Sequence, residues 1–125
     1  MQTFLPYPNF YGSAACLDRQ RLGKQRVEAM QLLKGQWPNH PASKMWRGYE
    51  EALALYHNIV IITWVNRGYN NNMWLYPVGK VVFPPWFGDE DFHASHRSNL
   101  LRKKPEWYGR MGWAEHDNLE YIWPI

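Results

Sequence analysis

The sequence predicts a mainly α-helical fold: one domain of three main helices, with an extended N-terminal arm and long irregular loops. Three observations predict it. The 125 residues leave room for one modest core, and 46% hydrophobic with 20% charged residues is a composition that folds. Apolar residues recur at helical spacing in separate stretches. Only VGKVVF (78–83) has strand character, and Pro84-Pro85 closes it with no partner strand evident.

Residues 1–12 hold two prolines and a glycine and read as an extended arm. Ser13 is placed to cap a helix running to about Lys34, with Gly35 as its stop. Gly23 inside it costs propensity and suits a close backbone approach. Met45, Tyr49, Ala52, Tyr56, Ile59 and Thr63 alternate at spacings of four and three, predicting a second helix that ends at Gly68. Residues 69–88 read as a long linker rich in turn residues. Acidic residues at 89–91 suit the start of a third helix, which stops before Pro105. PEWYGRMGW then reads as a turn or short helix ahead of an acidic tail.

The net charge of +3 is unevenly placed. Residues 1–35 carry +3 (five Lys/Arg against two Asp/Glu) and residues 93–112 carry +4 (five against one), around a near-neutral middle. Two such segments fit either one phosphate-binding surface or two solvated helix faces. Aromatic residues make up 17%, with eight Trp and eight Tyr, enough for a core and for stacking on flat ligands. Cys16 stands alone, which excludes a disulfide framework and a cysteine-based zinc site. MQTFLPYPNF lacks the pattern of a signal peptide, and IVII at 59–62 is too short to span a bilayer, so a cytoplasmic protein is expected.

Two constellations bear on chemistry. In LDRQRLGKQRVEAMQLL (17–33), Arg21, Lys24 and Glu28 fall within about 60° on a helical wheel, so one glutamate shares a face with cations. An exposed ion-pair stripe would look the same. Arg19 and Arg26 lie on another arc, beside Leu22 and Leu33, and call for partners or a bound polyanion. In HASHRSNLLRKKPEWYGRMGW (93–113), His93 and His96 share a face with Arg97, Leu100 and Lys104. The HxxH pair lacks a convincing third metal ligand. Phosphate contact by these residues with Arg102 and Lys103, and stacking by Trp107 and Tyr108, fits better. No GxGxxG, P-loop or GxSxG is present.

Together the two constellations resemble the pyrimidine-dimer DNA glycosylase/AP lyase family (phage endonuclease V-like). The resemblance rests on an ordered set: MQTFLPYP, LDRQ (17–20), QRVE (25–28), NHP (39–41) and KKPEWYG (103–109). It implies a compact helical domain over 1–125, a flipped-out nucleotide, and attack on deoxyribose C1′ by the chain's own α-amine. Imine formation and β-elimination follow, without cofactor or metal. An α-amine suits this role because its reference pKa, roughly 7.7–8.0, leaves a neutral fraction at physiological pH. A nearby carboxylate can shuttle protons and stabilise positive charge on the sugar.

Carried across, the resemblance puts the catalytic glutamate at Glu28 and the amine at Met1 or Gln2, with Lys24 as a substitute. The family arginine before that glutamate is Val27 here, leaving Arg26 to take over its phosphate contact. The expected DNA-binding residues are Arg19, Arg21, Lys24, Arg26, His40, His93, His96, Arg97, Arg102, Lys103, Lys104, Trp107, Tyr108 and Arg110. The expected partner is damaged double-stranded DNA, a UV pyrimidine dimer first, met by a monomer in a bacterial nucleoid or phage-infected cell. Gln2, a large residue that ordinarily keeps the initiator Met in place, and Val27 leave open a binding module that has lost the chemistry. A metal-dependent nuclease using His93 and His96 is the third alternative.

Overall fold

The computed structural model describes residues 1–125 and contains six α-helices and no strand. The expected first helix is two. Helix α1 spans Phe10–Cys16 and is capped by Asn9, whose side chain accepts from Gly12 N. Helix α2 spans Arg19–Leu33. Leu17 and Asp18 between them are extended, and the break turns Asp18 inward, where its carboxylate accepts from the Tyr108 hydroxyl at 2.5 Å. Ser13 is therefore no cap; it is buried, and its hydroxyl bridges Tyr7 N and Tyr7 O. Residues 10–12, expected in the arm, belong to α1.

The second predicted helix also divides. Helix α3 spans Pro41–Trp46, with Pro41 at its first turn and His40 Nδ1 accepting from Ala42 N at 3.0 Å. Gly48, at φ +88°, supplies the left-handed turn that ends it, and α4 spans Glu50–Asn66. Helices α2 and α4 pack together at Gly23, where a Cβ would lie 3.1 Å from the Trp64 ring; the close approach is to a side chain.

Residues 69–88 form neither helix nor strand. VGKVVF stays irregular because Gly79 N bonds to Glu51 of α4 and no second strand exists to pair with it. Helix α5 spans Glu90–Lys103 with Asp89 as cap, and α6 spans Pro105–Tyr108, followed by a 3-10 turn over Gly109–Met111. The tail crosses α5: Ser98 Oγ donates to His116 O, Ser95 Oγ accepts from Ile122 N, and Arg102 donates to Asp117 O. One core cluster of 20 buried residues joins the arm (Phe4, Leu5) to every α-helix, so the arm is part of the packed interior.

Candidate active site

The arm is fixed by side chains, one backbone group after another. Gln25, a polar residue on the buried face of α2 between Leu22 and Ala29, acts like the edge of a strand. Its Nε2 donates to Gln2 O at 2.6 Å and its Oε1 accepts from Phe4 N at 2.9 Å. The Tyr56 hydroxyl of α4 lies between Gln25 Oε1 at 2.6 Å and Phe4 O at 3.0 Å, its single proton shared by the two acceptors. From α5, His96 Nδ1 accepts from Leu5 N at 2.8 Å and His93 Nδ1 donates to Leu5 O at 2.7 Å. Arg97 donates to Pro6 O at 2.8 Å. A buried peptide without such partners would be costly, so these five residues determine the path of residues 2–6.

That path ends on Glu28. Gln2 N donates to Glu28 Oε2 at 3.4 Å, and Gln25 Nε2 reaches the same oxygen at 3.5 Å. Met1, Gln2, Arg21, Lys24, Glu28 and Lys103 line one depression around the head of the arm. Beside it an open cleft of about 1110 Å³ runs along α2, lined by Arg19, Lys24, Val27, Glu28, Lys104 and Trp107 together with Trp64, Arg67 and Tyr69. Lys24, Glu28 and Gln20 border both. The shared face of Arg21, Lys24 and Glu28 is thus present, with the chain terminus laid against it.

The remaining cations divide. Arg21 is engaged by Asp18 at 3.2 Å, and Lys104 Nζ lies 3.9 Å from the same carboxylate. Burial raises the Asp18 pKa, but the Tyr108 hydroxyl and Arg21 together outweigh it and hold the carboxyl below its ordinary value. Asp18 of LDRQ is therefore a buried junction between α2 and α6. Arg19 lies over the Tyr69 ring at 4.9 Å and Arg26 over the Trp64 ring at 4.6 Å, so the two arginines beside the apolar face have aromatic partners. Arg26 also donates to Asn71 Oδ1 at 2.8 Å, which turns it away from Glu28. The cation one turn from Glu28 is Lys24. Val27 is 37% exposed on the cleft.

Several expectations for α5 and α6 are corrected. His93, His96 and Arg97 are buried and each bonds the arm, which removes them from phosphate contact. Both imidazoles are held neutral: burial lowers their pKa values, Arg97 adds to this in each case, and His93 adds to it for His96. His93 Nε2 accepts from Gly88 N, so both its nitrogens are occupied, while His96 Nε2 is buried without a partner; the two rings do not form a pair of free ligands, and no third ligand joins them. Arg97 is paired with Glu115 at 2.9 Å and with Glu90. Arg102 is exposed but holds the tail. Tyr108 is fully buried, bound to Asp18 and stacked on Trp113, which ends its stacking role.

Trp107 remains available as a half-buried wall of the cleft, its Nε1 donating to Cys16 O and Arg110 lying 4.5 Å over its ring. Lys103 is exposed beside the head of the arm. His40 caps α3 and faces Trp123; burial lowers its pKa, the terminal amine lowers it further, and Glu28 opposes both. Sequence reasoning missed Gln25, Tyr56, Trp64, Arg67 and Tyr69. The one available signal was Gln25, a polar residue inside an apolar stripe.

No helix is long and apolar enough to cross a membrane. No curated protein and no solved structure matches the chain. The family model described as pyrimidine dimer DNA glycosylase matches residues 1–76, which include the arm, Gln25, Glu28 and the aromatic wall of the cleft. A chain whose buried arm meets a lone glutamate beside an exposed lysine, and which matches that model over more than half its length, belongs to the pyrimidine dimer DNA glycosylase family.

Proposed function

We propose that this DNA repair glycosylase removes a damaged pyrimidine, with the UV dimer as the first candidate, from double-stranded DNA as a monomer. In this reading the α-amine at the head of the arm attacks C1′ of the damaged deoxynucleotide. The C1′–base bond breaks, and the departing base takes a proton. The amine nitrogen passes a proton to Glu28, the C1′–O4′ bond of the sugar ring opens and O4′ takes that proton, leaving a protonated imine at C1′. Loss of a C2′ proton then expels the 3′-phosphate by β-elimination and cleaves the strand. These steps use only an amine and a carboxylate from the protein.

The observation that carries the reading is the 3.4 Å contact between Gln2 N and Glu28 Oε2. It favours a mature chain that starts at Gln2, because loss of Met1 would turn this amide nitrogen into an α-amine already seated on the carboxylate. Lys24, Lys103, Lys104, Arg19 and Arg110 are the cations we assign to the phosphates, with Trp107 for stacking.

The test is borohydride trapping on UV-irradiated or abasic duplex DNA without added metal. A covalent adduct mapped to the first residue, and absent in Glu28→Gln, is expected; the intact mass identifies that residue as Gln2 or Met1. Exposed Val27, in place of the family arginine, favours a second reading as a binding module. Tight damage-dependent binding with no adduct and no cleavage would select it.

A further inference from the structure

The segment YNNNMWLY (69–76) reads in the sequence as linker, yet its backbone is held at both shoulders. Trp64 Nε1 donates to Asn70 O at 2.7 Å, and Arg26 reaches Asn71 Oδ1 at 2.8 Å. At the other end Asn58 of α4 makes a two-way bond with Tyr76, its Nδ2 to Tyr76 O at 2.8 Å and its Oδ1 from Tyr76 N at 2.9 Å. Asn71 Nδ2 closes the turn on Met73 O. At the centre Trp74 is 88% exposed, the most exposed large apolar side chain in the protein, and Leu75 beside it is 53% exposed. An ordered loop that holds a tryptophan in water needs a partner to justify it.

The surroundings indicate which partner. Trp74 and Leu75 line a depression with Met30, Lys34, Asn72 and Tyr76, and no carboxylate borders it. Met30 of α2 and Lys34, the residue that ends it, stand one helical step from Val27 and Gln31, which line the cleft containing Glu28. Along this exposed face of α2 the cations are Arg19, Lys24 and Lys34, and Glu28 is the one acidic residue. The Trp74 depression and the head of the arm therefore both adjoin α2, the first at Met30 and the second at Lys24 and Glu28. A duplex lying on this face meets both. The carboxylate side receives a nucleotide displaced from the stack, and the loop side faces the stack it left.

Resting on the glycosylase reading above, we propose that Trp74 is a wedge that stacks on or inserts between bases next to the lesion, replacing the stacking lost when the damaged nucleotide leaves the duplex. Leu75 widens the apolar surface, and Lys34 contacts the adjoining phosphate. Insertion of an apolar side chain at a base step offsets part of the cost of unstacking. The wedge thus favours lesions that already weaken their stack.

Trp74→Ala and Trp74→Phe test it against duplexes carrying a pyrimidine dimer beside 2-aminopurine, and against an abasic single strand that has no stack to open. Trp74→Ala should lower the ratio of duplex to single-strand rates roughly 10- to 100-fold, the range expected for losing one aromatic–base stack. The 2-aminopurine fluorescence rise on binding should disappear with it, and Trp74→Phe should retain most of both. An equal loss on both substrates, or an unchanged fluorescence rise, would overturn the wedge. So would a wild-type dimer in sedimentation velocity that becomes monomeric in Trp74→Ala, since the patch would then be a self-interface. If the wild-type protein gives no borohydride adduct, the glycosylase chemistry proposed above fails, while the fluorescence arm still decides the wedge.

Discussion

Helix α2 carries Arg19, Arg21, Lys24 and Arg26, and helix α5 carries His93, His96, Arg97, Arg102 and Lys103. As sequences they are comparable basic amphipathic segments; in the fold they face opposite environments. Lys24 and Arg19 of α2 are exposed and border the cleft, and the single glutamate there meets the chain's own N-terminal segment. On α5 the imidazoles and Arg97 point inward and hold Leu5 and Pro6. Of its basic residues only Arg102 and Lys103, in the last turn, are exposed. One helix presents the proposed catalytic carboxylate; the other sets the position of the N-terminal segment proposed to supply the amine. Basic character alone does not separate the two roles, because a cation with a buried carbonyl to satisfy is as useful to the fold as one with a phosphate to bind.

Substitutions on the two helices should therefore differ in kind. Glu28→Gln has the largest expected effect, a loss of about 10²- to 10⁴-fold in glycosylase rate, the range for removing a positioned proton shuttle, with the melting temperature nearly unchanged. On α5, Arg97→Ala should do the reverse. It leaves Glu115 and Pro6 O unpaired at a buried site and should destabilise the protein by about 3 kcal/mol in urea denaturation. Equal stability losses for the two variants would dissolve the distinction between the helices.

Acid should act through the two α5 imidazoles, alongside His40 and His57, whose pKa values burial also lowers. His93 and His96 have pKa values below the ordinary imidazole value in the folded protein, so the unfolded chain binds protons more readily. Stability is full above about pH 6.5 and falls as pH drops below it, by up to about 1.4 kcal/mol per pH unit for each imidazole. The Leu5 carbonyl, followed by Glu90 and Asp89, tempers this for His93, whereas Arg97 reinforces it for both. Denaturation curves at pH 7.5, 6.0 and 5.0 measure the slope; a flat profile would mean that the two rings are not held neutral.

Gln25→Met sharpens the comparison from inside α2. It leaves Gln2 O and Phe4 N without partners, for about 2 kcal/mol of stability, and frees the head of the arm from Glu28. Its adduct yield should fall while DNA affinity, measured by fluorescence anisotropy, holds. Smallest is Lys24→Ala, which should reduce the salt dependence of DNA binding by about one phosphate contact and leave folding intact.

The helical class, the third helix starting among the acidic residues at 89–91, and the shared face of Glu28 and Lys24 were all legible from spacing, because local periodicity and charge at helix ends are properties of neighbouring residues. The two breaks were not. The turn at Asp18 exists because Tyr108, ninety positions away, binds the carboxylate, and a signal at that separation leaves no mark on local pattern. The sequence by itself determined that this chain is helical and unevenly charged, and its ordered motifs pointed to the glycosylase family. Tertiary structure alone decided which cations face water, that Tyr108 and the α5 histidines belong to the interior, and that Gln2 reaches Glu28. The physical reason is that a buried polar group takes its role from the partner that satisfies it, and here those partners, Leu5 for His96 and Gln25 for Gln2, come from remote parts of the chain.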